Sequence, residues 1–317
     1  MSSLLNIIFK CSNKINDDFI NSLKCILNQT NKDFRLTVVN DGCEKEVADY
    51  ISTIDFSVFK EFEYFCLSSY SGIAVYLLDI NYDSDYIFFV DEKTKIKEEF
   101  ADAAMKILSS VKPDMMAVEL LKSNVESKVY NFDDPDLIFC LFPGYKDKIF
   151  LSKIFHDCRT KLKNQNFVEL LYLLFTSFKT CYYFNSNLLS FVEPKNVSYN
   201  LYDIFEIIDE TNAKYGIATN HELQRWYDTL QFFVIYNAII MFLVHIFAAY
   251  KGTASRNIAI NKSKSWISKN LPNWKQNKLI TSKNSVLITE DTKKILKKFN
   301  FSWKDIESLS KIIFYGK

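Results

Sequence analysis

Glycine and proline are scarce, six and five among 317 residues, and that scarcity excludes several architectures. A loop-rich β fold needs many tight turns, so long regular elements joined by short connections are expected instead. A Walker-type phosphate loop or a G-x-G-x-x-G turn needs clustered glycines, and the sequence has neither. Phosphate-loop ATPases and Rossmann dehydrogenases are therefore disfavoured. Histidine is scarcer still: His156, His221 and His245 are far apart and show no ligand spacing, so no zinc site is expected. The seven cysteines include no CxxC pair. An odd, unpatterned set reads as reduced thiols in or near the core of a cytoplasmic protein. The amino-terminal apolar run in MSSLLNIIFKCSNK is too short for a signal peptide and lacks a preceding basic segment, so export is not expected.

What the chain does have is apolar and aromatic mass. At 48% apolar and 16% aromatic it can bury a large core, and its length allows one or two domains. The net charge of +1 hides an asymmetry. Residues 251–317 hold fifteen Lys and Arg against Glu290, Asp291, Asp305 and Glu307, a local charge of +11 that leaves −10 on residues 1–250. An acidic body with a basic tail is suited to anionic partners, a membrane surface or a nucleic acid. Nothing matches a nucleic-acid recognition motif, and with most of the chain acidic, no nucleic-acid partner is expected.

The first hundred residues alternate between two periodicities. Leu4–Phe9 is a short apolar run, and Asp17–Asn28 follows with Phe19, Ile20, Leu23, Ile26 and Leu27 at helical spacing. Phe34–Val39 is a β-branched strand that runs into Asn40-Asp41-Gly42, a turn signal. A helix over Glu44–Ile54, a run at Phe62–Leu67, a helix around Ser71–Asp79 and the aromatic strand Tyr86–Val90 complete the pattern. Strand and helix in alternation predict an α/β fold, a mostly parallel sheet flanked by helices. Ligands of such sheets bind beyond the carboxyl ends of the strands, and two strands here end in an acid, Asp41 and Asp91. Farther on the sequence predicts a helix over Glu98–Ser110, a strand at Met115–Leu120, a polar loop through Asp133-Asp134-Pro135-Asp136, and a boundary near Pro194–Asn200.

Four stretches together resemble bacterial family 2 glycosyltransferases. SLKCILNQTNKDFRLTVVNDG, from Ser22 to Gly42, is similar to that family's helix, "SILNQT" turn and "VNDG" strand end. DYIFFVD, from Asp85 to Asp91, resembles the strand that delivers the D-x-D motif. KIFLSKIF, from Lys148 to Phe155, resembles a "KLYRRELL" segment, and Tyr182–Phe191 the strand and loop after the acceptor-side helix. The resemblance covers roughly residues 4–195. It implies a GT-A fold over residues 1–195, a nucleotide-sugar donor, UDP-sugar first, and inverting transfer of hexosyltransferase type by single displacement with a carboxylate base.

The residues point to the same place. Asp41, before a glycine that lets the chain turn, is suited to hold the base or ribose of a nucleotide. An Asp-Gly after a strand is by itself only a turn. Asp91 is suited to the diphosphate end. The departures from the pattern matter as much. The last Asp of D-x-D, a metal ligand in the family, is replaced, since the chain reads Asp91-Glu92-Lys93. Either Asp91 and Glu92 hold a divalent cation, manganese or magnesium, or Lys93 supplies a fixed charge against the diphosphate and makes the cation dispensable. The plainer alternative is a surface turn opening the next helix. The family's "P-x-Y-N" reads Phe9-Lys10-Cys11-Ser12, and the "ARN" segment reads Ala74-Val75-Tyr76 without its arginine. The acceptor-side acid aligns poorly, and the nearest candidate for the base is Glu169.

Residues 196–317 are expected to form a helical, basic subdomain with a surface for self-association. Phe232–Tyr250 is nineteen residues with Asn237 and His245 as its strongly polar positions. Three readings stand open: a buried helix, a helix against a membrane, or a span. Trp266, Trp274 and Trp303 among lysines have a composition favoured at membrane interfaces, and equally that of a solvated tail. The expected location is cytoplasmic, peripheral at the inner face of the plasma membrane. Two functions follow. One is a glycosyltransferase acting on a glycan or lipid-linked acceptor in cell-surface polysaccharide assembly, capsule or lipopolysaccharide. The other is a catalytically degenerate binding module that partners another enzyme.

Overall fold

The computed structural model describes residues 3–11, 14–67, 83–118, 126–131, 147–162, 170, 173–174 and 177–191, together with 254, 257, 258, 261, 265, 268, 269, 273 and 276. The chain divides into two compact units. One comprises Met1–Leu120, Glu126–Asp133 and Gly144–Val192, the other Leu121–Val125, Asp134–Pro143 and Glu193–Lys317. In the second unit the described residues Ala254, Asn257, Ile258, Asn261, Ser265, Ser268 and Lys269 are exposed helical positions. Among the described residues no helix is long and apolar enough to cross a membrane.

The first unit is built on strands β1 (Ser3–Cys11), β2 (Arg35–Asp41), β3 (Glu61–Leu67) and β4 (Ser84–Asp91), with helices α1 (Asp17–Leu27) and α2 (Lys45–Ser52) in the connections. After β4 come β5 (Thr94–Ile96), α3 (Phe100–Val111), β6 (Met115–Val118), β7 (Lys128–Asn131), β8 (Lys148–Leu151), α4 (Ser152–Arg159), β9 (Thr180–Phe184) and β10 (Leu189–Phe191). Eight strands form one sheet in the order β3-β2-β1-β4-β8-β6-β9-β7, and β10 pairs with β5 in a second, two-stranded one. The β3-β2-β1-β4 block is parallel throughout, whereas β8 runs antiparallel to β4 and β6, and β7 antiparallel to β9. A mostly parallel α/β sheet is thus the observed architecture.

Local chemistry accounts for these elements. β2 is buried along its whole length and β1 nearly so, the mark of strands covered on both faces, and their apolar runs read continuously rather than alternating. α1 starts where the Asn16 side chain accepts a hydrogen bond from the Phe19 amide at 2.8 Å, with Asp17 and Asp18 in the first turn and Lys24 in the last. Cap and charges all complement the helix dipole. The helix buries Phe19, Leu23 and Ile26, and Phe19 packs 5.8 Å from Phe9 of β1. On α3, Phe100 stacks on Phe88 of β4 at 4.9 Å. Between β1 and β2, Thr37 donates to Asn6 Oδ1 at 3.0 Å, which pairs the hydroxyl with the amide oxygen away from water.

Two expectations are corrected here. The turn after Asp91 does not open directly into a helix: Thr94–Ile96 forms β5, paired with Leu189–Phe191, before α3 begins at Phe100. The cysteines are not all free thiols. Cys43 and Cys66 are joined in a disulfide with their Cα atoms 4.9 Å apart, while Cys11, Cys25 and Cys158 are free thiols. The cause is the β2–β3 register: Asn40 lies opposite Cys66 and Asp41 opposite Leu67, and the Gly42 amide bonds the Leu67 carbonyl at 2.9 Å. That folds the residue after the turn onto the end of β3.

Candidate functional site

The parallel block ends at one edge in Cys11, Asp41, Leu67 and Asp91, the last residues of β1, β2, β3 and β4. Lys10 of β1 is the register partner of Val39 on one side and of Asp91 on the other. It therefore stands between the two acids singled out in the sequence, which lie on strands two interstrand spacings apart, about 10 Å.

Asp41 is held from several directions. Gly42 at φ 109° and Cys43 at φ 55° turn the chain sharply away behind it, the conformation glycine adopts without steric cost. Asn40 pins the outgoing loop by donating to the Glu44 carbonyl at 3.0 Å and to the Tyr64 hydroxyl at 2.7 Å. Lys10 Nζ pairs with Asp41 Oδ2 at 2.9 Å, with the side chains 29% and 8% exposed. The other oxygen, Oδ1, is buried and has no hydrogen-bond partner. Buried carboxylate oxygens are ordinarily hydrogen-bonded, so this one marks a place where a donor is wanted.

Asp91 is arranged differently. Its Oδ1 accepts from the Lys93 amide at 3.0 Å and from the Thr94 hydroxyl at 2.9 Å, and the Asp91 amide bonds Thr94 Oγ1 at 3.3 Å. Asp91 thereby closes its own turn, with the buried Thr94 as the other half of the clasp. The Glu92 carbonyl accepts from Ser22 Oγ of α1 at 2.6 Å, and Glu92 Oε2 is buried with no partner. Burial pushes the Cys11 thiol pKa well up and the nearby Glu92 carboxylate adds to the rise, so Cys11 is a protonated thiol and no nucleophile. Lys93 is half-buried at the third position of the motif.

For a divalent cation these positions fit poorly. Asp91 has one oxygen engaged within its turn, and an ammonium takes the third place. Among the described residues no three His, Cys, Asp or Glu side chains converge as a metal site would require. Glu169, the sequence candidate for a base, lies outside the described residues, as do Ser71–Asp79, Asp133–Asp136, Pro194–Asn200, Phe232–Tyr250 and the three tryptophans of the tail.

Residues the sequence reading did not single out hold this edge in place. Gln29, fully buried in the "LNQT" turn, donates to the Cys25 and Lys97 carbonyls at 2.9 and 2.7 Å and accepts from the Ala101 amide at 2.8 Å. It ties the end of α1 to the β5–α3 connection, which is the segment that carries Asp91-Glu92-Lys93 forward. Lys148, at the start of β8, pairs with Asp147 at 2.7 Å with both side chains buried. Burial raises the Asp147 pKa, and Lys148 pulls it back.

No protein-family model and no curated protein sequence matches the chain. Solved structures do. The chain is similar to residues 1–349 of Staphylococcus aureus TarS, a family 2 glycosyltransferase, at 11% identity and TM-score 0.58, covering 99% of this chain and 92% of that one. The complex of the same TarS piece with UDP-GlcNAc gives 12% identity, TM-score 0.59 and the same coverage. Its UDP complex gives 12% and 0.55. The strands ending in Asp41 and Asp91 therefore belong to a sheet of the GT-A type, the fold that the sequence resemblance implied.

Proposed function

We propose that this chain is an inverting glycosyltransferase that takes a sugar from a UDP-sugar to a glycan or lipid-linked acceptor in cell-surface polysaccharide assembly. The observation that carries the reading is Asp41, at the end of β2, with one oxygen on Lys10 and the other buried without a donor. A base with a ring N–H supplies that donor, and the structural relative TarS has complexes with UDP and UDP-GlcNAc. In this reading Asp41 receives the base. The turn closed by Asp91 faces the diphosphate, and Lys93 sets a fixed positive charge against the leaving UDP. The acceptor hydroxyl attacks the anomeric carbon as the bond from that carbon to the β-phosphate oxygen breaks, and its proton passes to a carboxylate base, for which the sequence offers Glu169.

A thermal-shift panel tests the donor class, because a ligand that binds only the native state raises the melting temperature by mass action. UDP-sugars should raise it and CMP-sugars should not. No rise with any nucleotide sugar at millimolar concentration would sink the reading. Lys93 in the motif also favours a second reading, the catalytically degenerate module. Tight UDP-sugar binding without release of UDP in the presence of acceptor glycans would select it. The basic tail supports a peripheral place at an anionic leaflet. Pelleting with phosphatidylglycerol vesicles that fades as salt rises is the expected result, and indifference to vesicles would remove that part of the proposal.

A further inference from the structure

The Cys43–Cys66 disulfide ties the chain just behind Asp41 to the end of β3, the outermost strand of the parallel block. Cys43 is half-buried and Cys66 is exposed, so the bond lies within reach of an outside thiol. Two hydrogen bonds restrain the same loop, the Gly42 amide on the Leu67 carbonyl and the Asn40 side chain on the Glu44 carbonyl. The disulfide is the covalent restraint among them. Cys43 also sits at φ 55°, a left-handed conformation that a residue with a Cβ leaves readily once it is released. Cys11 does not exchange into the bond. It and Cys66 are register partners of Asn40 on opposite sides, about 10 Å apart, and burial keeps Cys11 a protonated thiol.

We propose that Cys43–Cys66 is a reversible thiol–disulfide exchange site, through which a dithiol reductant lowers the affinity of the Asp41 edge for its nucleotide. This assignment rests on the uridine-nucleotide reading above. A thiolate of the reductant attacks Cys66 Sγ, the more exposed sulfur. The Cys43–Cys66 bond breaks as the mixed disulfide forms, and Cys43 leaves as a thiolate that takes up a proton. The reductant's second thiol then attacks its own sulfur in the mixed disulfide, closes the reductant to a cyclic disulfide and releases Cys66 as a thiol. Two electrons and two protons pass to the chain in all. The loop from Gly42 to Glu44 keeps its hydrogen bonds but loses the link that fixes Cys43, so Asp41 is held in its binding orientation for a smaller share of the time. In the reducing compartment expected for this chain, the disulfides that form are mainly redox-sensing rather than structural.

Differential alkylation and calorimetry on the full chain test this together. Iodoacetamide labelling without denaturant, read by peptide mass, should find Cys43 and Cys66 blocked after mild oxidation with diamide and both labelled after dithiothreitol, a small dithiol of the proposed class. Reduction should weaken UDP binding about fivefold, as expected if the loop then holds its binding shape about a fifth of the time, and reoxidation should restore it. Cys66→Ser should bind UDP as the reduced protein does and ignore both reagents, and Cys43→Ser should match it. Because the lost cross-link also frees the unfolded chain, the reduced protein should melt several degrees lower yet stay folded at the assay temperature. Resistance of the pair to dithiothreitol in the native protein would overturn the assignment, and so would thiols that are still labelled after diamide. Equal UDP affinity in the two redox states would make the bond a structural staple and end the proposal. A redox response that survives in Cys66→Ser would end it too, since its cause would lie elsewhere. No UDP binding in either state, with the alkylation pattern as expected, would instead bring down the uridine-nucleotide reading, and this assignment with it.

Discussion

The two ends of β2 hold buried charges in opposite ways. At the amino end Arg35 has a side chain 5% exposed and three acids around it: Glu61 at 3.4 Å, Glu63 in direct contact and Asp83 at 4.0 Å. Its pKa is raised, first by the hydrogen bond with Glu63. The three acids are all more than a third exposed, so water shares their charge, while Nε of the guanidinium and Oε2 of Glu63 are buried without a partner. At the carboxyl end Asp41 is nearly as buried but has one cation, Lys10, and one oxygen with no donor. The amino end sets three acids around its one cation. The carboxyl end is short of donors, and a nucleotide base is what would supply them.

Asp41→Ala probes that difference with the largest expected effect. Losing the base acceptor should weaken UDP binding about a hundredfold, near 2.7 kcal/mol. The melting temperature should change little, since Lys10 is exposed enough to turn to water. Calorimetry and a thermal melt on the same sample read both numbers. A large fall in stability with UDP affinity intact would make Asp41 a structural partner of Lys10 and erase the contrast between the two ends.

Arg35→Leu is the converse. Removing one member of a buried ion pair costs roughly 3–5 kcal/mol where the abandoned charge stays buried. Here the acids left behind are solvated, so about 2 kcal/mol is the expected loss in urea unfolding. UDP affinity should stay within about twofold, because additivity holds between sites this far apart. A marked loss of affinity would show that the amino end shapes the ligand edge through the strand.

How far the sequence reached this picture depends on the range of the contacts involved. Asp41 and Asp91 were legible because β1, β2 and β4 are continuous apolar runs, and each acid closes its run just before a turn. Lys10 looked like a departure from a motif, and its pairing with Asp41 needs the β1–β2 register. Cys43 and Cys66 are 23 residues apart with no spacing rule, and only the β2–β3 pairing brings them together. The stretch that forms β5 read as part of a surface turn before the next helix, because its three residues owe their strand to Leu189–Phe191 far along the chain. Gln29 was visible in the "LNQT" turn, yet its work lies in bonds to Lys97 and Ala101, which no local pattern encodes.

Lys93 sharpens the comparison at its smallest scale, since it asks whether the carboxyl end receives its positive charge from the chain or from a metal ion. The Lys93 amide is fixed by Asp91 Oδ1, so the residue's backbone belongs to the turn whatever its side chain does. Lys93→Ala should therefore leave the turn and the fold in place and cost about tenfold in UDP affinity, near 1.4 kcal/mol, the size expected of one ammonium on a phosphate in a partly solvated site. Uridine, which has no phosphate, should bind the variant and the unaltered protein alike, and that ratio separates a phosphate contact from a general loosening. EDTA should leave UDP binding by the unaltered protein unchanged. Lys93→Asp goes further, because it sets a third carboxylate beside Asp91 and Glu92 and should bind UDP weakly in EDTA and regain affinity with manganese. If the unaltered protein already loses affinity in EDTA and recovers it with manganese, Asp91 and Glu92 hold a cation beside Lys93. The shortage at this end of the sheet would then be met by a metal ion rather than by the chain.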